Sequence, residues 1–136
     1  MWHGSRLLLA SGSSPLPWLR ASGLECAEDG FVRVGATLQS TSHPQIFASG
    51  DCASLAGAAR NAWQASRQAA RLAANLGAAL QQRPLGRYRP GSPPPLLLAT
   101  GDGGALFDWH DCSAGGRLYG WWRERRDRQF LLRHRP

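Results

Sequence analysis

The chain has 136 residues, is 43% apolar and carries a formal charge of +7. That length supports a domain with a real core, since folding at this size hides roughly two-thirds of the extended chain's surface. No apolar run approaches the ~18 residues of a membrane-spanning helix, and Leu7–Ala10 is too short for a signal-peptide core, so a cytoplasmic protein is expected.

The positive charge is carried by arginine and crowds the carboxyl end at Arg123, Arg125, Arg126, Arg128, Arg133 and Arg135. Such a balance permits attraction to nucleic acid, anionic lipid or an acidic ligand, and equally serves solubility. The three cysteines, Cys26, Cys52 and Cys112, are far apart and lack CxxC spacing. That pattern supports neither a disulfide framework nor a structural zinc site. His110 and Cys112 are the only close His/Cys pair, and two ligands do not make a metal centre.

Arg6–Ala10 reads as a buried strand that ends at Ser11-Gly12-Ser13-Ser14-Pro15. Small residues there fit a turn, or a close backbone approach to a ligand with several N–H groups free to donate. Leu16–Leu19 suggests a short helical or irregular turn with Trp18 packed inward. Glu28-Asp29-Gly30 signals a turn, and Phe31–Val34 alternates as a short strand. Ile46–Ser49 is apolar and suits a buried strand. It breaks at Gly50 and leaves Asp51 just past its end, the arrangement that holds polar ligands at the carboxyl edge of a parallel sheet.

The composition over Ala58–Leu80 favours helix. Leu72, Leu76, Ala79 and Leu80 share one face, which makes them the expected packing surface. Asn61, Gln64, Arg67 and Gln68 then form the solvated face, or meet a ligand near the positive end of the helix dipole. Pro84, Pro90, Pro93, Pro94 and Pro95 stiffen a linker over 84–95. Leu96–Ala99 and Ala105–Trp109, separated by Thr100-Gly101-Asp102-Gly103-Gly104, read as a hairpin with Asp102 in a structural turn role. Gly115-Gly116 marks another break. A closing helix over Leu118–Arg133 mixes Trp, Phe and Leu with arginine, as helices on anionic membrane surfaces do. A terminal helix docked on its own domain has the same composition.

Several of these segments, taken in order, resemble the carboxyl-terminal part of FAD-dependent pyridine nucleotide-disulfide oxidoreductases, in particular their NADH-dehydrogenase-like branch with its modules fused to selenide, water dikinase. Leu9–Ser13 stands at the family's Ala-Thr-Gly-Ala segment. Gly30–Val34 with Thr37–Ser40 resembles the passage between the flavin motifs, and Ile46–Ala53 the late flavin motif. Arg67-Gln68 with Leu72–Leu76 resembles the following helix. Tyr88-Arg89-Pro90, Leu97–Gly104 and the Trp/Arg helix resemble the small carboxyl-terminal domain.

The resemblance implies that Asp51 hydrogen-bonds the ribityl or pyrophosphate region of FAD, with Gly50 permitting close approach and Gly12 in the earlier loop. It places Asn61 to Gln64 near the pyrimidine side of the isoalloxazine. The sequence contains no GxGxxG loop, no ribose-binding βαβ unit and no CxxC pair. It therefore implies an incomplete FAD site and NAD(P)H bound only in a full-length relative, the chain being a truncated gene, a gene model begun at an internal Met1, or a split subunit with a partner chain supplying the amino-terminal half. No catalytic residue and no metal ligand is assigned, because hydride transfer belongs to the flavin and nicotinamide rings. The expected fold is α/β then α+β. It has a partial, Rossmann-like FAD-binding segment over 1–83, a Pro-rich linker over 84–95, and a small hairpin-plus-helix domain over 96–136. Strand edges left open by the absent half predict association or low solubility. Peripheral contact at an inner membrane face is a further expectation. The alternative is a non-enzymatic basic module that uses the Trp/Arg helix on a membrane or, less favoured, on nucleic acid.

Overall fold

The computed structural model describes Arg6 and residues 12–134. Leu7 to Ser11 lie outside the described residues, and with them the expected strand over Arg6–Ala10. The chain divides into two units, Met1–Gly91 and Ser92–Pro136.

The first unit opens with a single helical turn, α1, over Pro17–Ala21. Proline at the first helical position suits it, because the fixed φ is already helical and the missing N–H has no partner to lose there. The turn buries Leu19 and leaves Trp18 59% exposed. The inward packing expected of Trp18 is thus taken by its neighbour, about 100° round the helix. Strand β1, Val32–Val34, pairs in parallel with β2, Ala53–Leu55, in the register Val32↔Ala53 and Val34↔Leu55. Val32 and Val34 point into the core while Arg33 points out. The core gathers Leu19, Val32, Val34, Leu38, Ala48, Ala53 and Tyr88.

The run Ile46–Ser49 is not a strand, contrary to its apolar composition. It is tied on one side to the segment before it, through Ser40 N–H to Ile46 O at 2.8 Å and Ala48 N–H to Leu38 O at 3.0 Å. These bonds make an isolated antiparallel bridge at Gln39↔Phe47 and no ladder. The regular strand of this region, β2, begins only after the Gly-Asp pair.

Helix α2 spans Ala62–Leu80, four residues shorter at its start than the composition suggests, because Asn61 caps it by accepting from Gln64 N–H at 2.9 Å. Its buried stripe is the reverse of the expected one. Gln64, Gln68 and Asn75 are buried, whereas Leu76 is exposed and Leu80 is 88% exposed. Only Leu72 of the expected apolar face packs against the core, and partly. The polar residues point inward because what α2 covers is backbone. Asn75 donates from Nδ2 to Thr37 O and Gly86 O, and accepts from Gly86 N–H, all at 2.8 Å. Gln64 donates to Gly91 O at 3.0 Å and accepts from the Tyr88 hydroxyl. Residues 84–91, expected as part of a free linker, are therefore fastened along α2.

The second unit is a three-stranded antiparallel sheet with one helix. β3, Leu96–Ala99, pairs with β4, Ala105–Trp109, in the register expected of a hairpin. β4 also pairs with β5, Cys112–Gly116, a strand that the glycine break concealed. Helix α3, Arg117–Arg133, lies on one sheet face, with Tyr119 and Trp122 stacked on Phe107 at ring separations of 5.2 and 5.9 Å. Arg126 donates to Pro95 O at 3.0 Å. Gly120 sits against the β3–β4 turn, where a side chain would collide with the Gly103 carbonyl. The opposite sheet face leaves Leu96, Leu98 and Leu106 about half exposed. No helix among the described residues is long and apolar enough to cross a membrane.

Candidate functional site

The Gly-Asp pair forms a three-residue 3-10 turn, Gly50–Cys52, whose closing bond runs from Ala53 N–H to Gly50 O. Ser49 enters it extended, and Gly50 takes φ +66°. That left-handed conformation costs an L-residue about 1–2 kcal/mol, which accounts for glycine here. The turn carries the chain from the bridge at Phe47 into β2 beside β1.

Asp51 sits on the crest of this turn and is exposed. Among the described residues its carboxylate has neither a hydrogen-bond nor a salt-bridge partner, while Arg60 is engaged with Asp29 at 2.7 Å. Asp51 is thus an acceptor with its capacity unspent. Neighbouring Cys52 turns inward locally, its thiol donating to Ser49 O at 3.2 Å. Helix α2 supports the turn from behind. Gln68 accepts from Gly50 N–H at 2.7 Å, and Ala65 lies against Gly50.

A cavity of about 630 Å³ opens beside the turn, within the range of small-molecule sites. Its polar rim is Ser13, Ser14, Asp51 and Cys52. Its walls are apolar, with Trp18, Phe31, Ile46 and Phe47 prominent. Gly12, just before the two serines, has φ +85°, and a Cβ placed there would meet nothing within 4 Å. The segment after Gly12 and the Gly50–Asp51 turn therefore face one space.

The residues proposed around Asn61 behave differently. The Asn61 side-chain oxygen is committed to capping α2. Gln64 is 2% exposed, with its oxygen held by Tyr88 and its nitrogen by Gly91. Neither lines the cavity beside Asp51. Gln68, expected either on a solvated face or against a ligand, is the polar residue that touches the turn. Its spacing of four from Gln64 on one helix face was the available signal.

The family model for pyridine nucleotide-disulphide oxidoreductase matches residues 3–70. That is half of the chain, and it contains both Gly12 and the Gly50–Asp51 turn. The chain belongs to the pyridine nucleotide-disulphide oxidoreductase family. No curated protein matches it. Members of the pyridine nucleotide-disulphide oxidoreductase family are typically flavin-dependent. The donor set suits such a group in part. Asp51, without a partner among the described residues, can accept from hydroxyls, and Ser13 and Ser14 on the same cavity can donate to an anion. Among the described residues no three His, Cys, Asp or Glu side chains converge as a metal site would require.

Proposed function

We propose that this chain supplies the late flavin-contacting part of an FAD-dependent NAD(P)H oxidoreductase, of the NADH-dehydrogenase-like branch. The observation that carries the reading is the Asp51 carboxylate, exposed and without a partner among the described residues, held on the Gly50 turn beside a cavity shared with Ser13 and Ser14. Asp51 accepts a hydrogen bond from a ribityl hydroxyl, and Gly50 supplies the positive-φ turn that presents it. Ser13 and Ser14 offer donors to the anionic pyrophosphate. Bound flavin supplies the hydride and electron transfer. The chain's own residues bind and orient it and shield one side with Trp18, Phe31 and Phe47. The ADP half of FAD is ordinarily held by a GxGxxG loop, which the sequence lacks. A further segment carrying such a loop, on this or another polypeptide, is part of the proposal.

The test is an FAD titration of the whole chain followed by amide chemical shifts. Shifts should concentrate at Ser13, Ser14, Gly50 and Asp51. Asp51→Ala should weaken binding by about tenfold or more, the loss of a charge-assisted hydrogen bond. Millimolar FAD that leaves these amides unmoved would refute the reading.

The outward face of α3 favours a second reading. Leu118, Trp121 and Leu132 are exposed there, with Arg125 about 5.9 Å from the Trp121 ring. Apolar and cationic groups together fit an anionic bilayer surface. Arg125→Glu with Arg128→Glu should abolish sedimentation with anionic vesicles. Equal binding to neutral vesicles, or to oligonucleotides alone, would count against it.

A further inference from the structure

We infer that Gln68 is the positioning residue of the Gly-Asp turn, fixing the direction in which Asp51 is presented. The inference rests on the flavin reading of Asp51 and adds a group that never touches the ligand. The turn is only three residues long, and its one internal bond uses Gly50 O. The Gly50 N–H points the other way, toward α2, where Gln68 Oε1 accepts it at 2.7 Å. An N–H can be met only by an acceptor, so the amide oxygen faces the turn.

Gln68 is 4% exposed, so packing restricts its rotamer. Ala65, one helical turn earlier on the same face, stands 3.4 Å from where a Gly50 Cβ would lie. The turn is therefore registered against a rigid helix at two points, one steric and one polar. Asp51 follows Gly50 directly, so freedom at Gly50 φ and ψ passes into the direction of its carboxylate. Without the Gln68 acceptor, Gly50 is a glycine with a wide choice of backbone conformations and a partly buried, unpaired N–H. A side chain of the same size lacking the acceptor would fill the space and leave the turn unregistered. An acceptor of the same length would restore it.

Gln68→Met and Gln68→Glu separate these properties. In Gln68→Met the Gly50 amide should exchange with solvent at least about tenfold faster, and FAD should bind about fivefold more weakly, the effect of losing one organising hydrogen bond. Gln68→Glu should return both quantities to within about twofold of the parent chain. Wild-type exchange and affinity in Gln68→Met would overturn the inference. So would a Gln68→Glu variant as impaired as Gln68→Met, because the acceptor would then not be what matters. If Gln68→Met does not fold, Gln68→Glu alone decides, with parent-like Gly50 exchange supporting the inference and rapid exchange overturning it. A parent chain that shows no shifts with FAD refutes the flavin reading. Gly50 exchange in the variants still shows whether Gln68 holds the turn.

Discussion

Asn75→Ala isolates the side chain that fastens residues 84–91 and the Gly35–Leu38 turn to α2. The parent residue is 1% exposed and makes three hydrogen bonds of 2.8 Å, to Thr37 O, Gly86 O and Gly86 N–H. Alanine removes all three and supplies nothing in return. A stranded buried polar group costs about 1–3 kcal/mol. Thr37 and Gly86 are only partly buried, so water recovers some of that, and the lower value applies to each. The sum is about 3 kcal/mol. A unit the size of Met1–Gly91 is stable by about 5–14 kcal/mol at the usual per-residue range, so the loss is a large share. Tyr88 N–H also bonds Ala36 O at 2.7 Å, which ties the same two segments together and keeps the variant folded. Urea unfolding followed through unit-one amide signals measures the change directly. Asn75→Asp should be at least as damaging at neutral pH, because a carboxylate would face two carbonyl oxygens. A destabilisation below about 1 kcal/mol in Asn75→Ala would show that the three bonds contribute little net stability and refute the reasoning.

Three other outcomes are expected. Gly50→Ala should destabilise the first unit by about 1–2 kcal/mol, since φ +66° strains an L-residue while the Ala65 contact at 3.4 Å is tolerable; parent-like stability in a thermal melt would contradict it. Gly120→Ala should lower the stability of the second unit by about 1–3 kcal/mol, because a Cβ would strike the Gly103 carbonyl and stand 3.1 Å from Gly104 Cα. The check is the loss of Phe107 ring-current shifts at lower temperature than in the parent. Asp102 should titrate below the ordinary 3.8 of an aspartate, held down first by the Thr100 hydroxyl and then by Gly104 N–H. Its folded pKa is depressed, so its support of the turn is present above pH 3.8 and fades as pH falls through the lower folded value. Thr100→Val should raise the carbon-13 titration midpoint, and a parent midpoint at or above 3.8 would refute the assignment.

The legible parts of the fold are those in which local chemistry decides the outcome. An alanine-rich stretch with a capping asparagine yields α2, and the Thr100–Gly104 turn yields the β3–β4 hairpin. Gly50 was legible as a break because a turn with positive φ favours glycine. Two parts were not legible because neither has strand character of its own without its partner. Cys112–Gly116 has little strand propensity of its own and becomes β5 only by pairing with β4. Ala53–Leu55 becomes β2 only beside Val32–Val34, across about 20 intervening residues. Ile46–Ser49 shows the converse. Its side chains suit a strand, but among the described residues only two backbone bonds tie it to a neighbouring extended segment, both to Leu38–Ser40, and these make a single bridge.

The reversal of α2 has the same origin. A helix buries its apolar stripe when it covers side chains, and periodicity reads that case correctly. Here α2 covers backbone: the Gly50 N–H, the Thr37 carbonyl, and the groups of Gly86 and Gly91. The strands of the first unit are three residues long, so few backbone groups find ladder partners. Each of the others needs a donor or acceptor if it is to be buried. Glutamine and asparagine supply both on one side chain and reach further than serine or threonine. A stripe of Gln64, Gln68 and Asn75 at spacings of four and seven is thus an apolar stripe's counterpart for a surface made of amides. Turning α2 by about a third of a rotation would bury Leu76 and Leu80 but strand at least five backbone groups, about 5 kcal/mol or more at the lowest cost per group. Starting from 44% and 88% exposure, Leu76 and Leu80 together return about 2–4 kcal/mol on burial. The observed face is the more stable one, and it is also the one that holds the Gly-Asp turn.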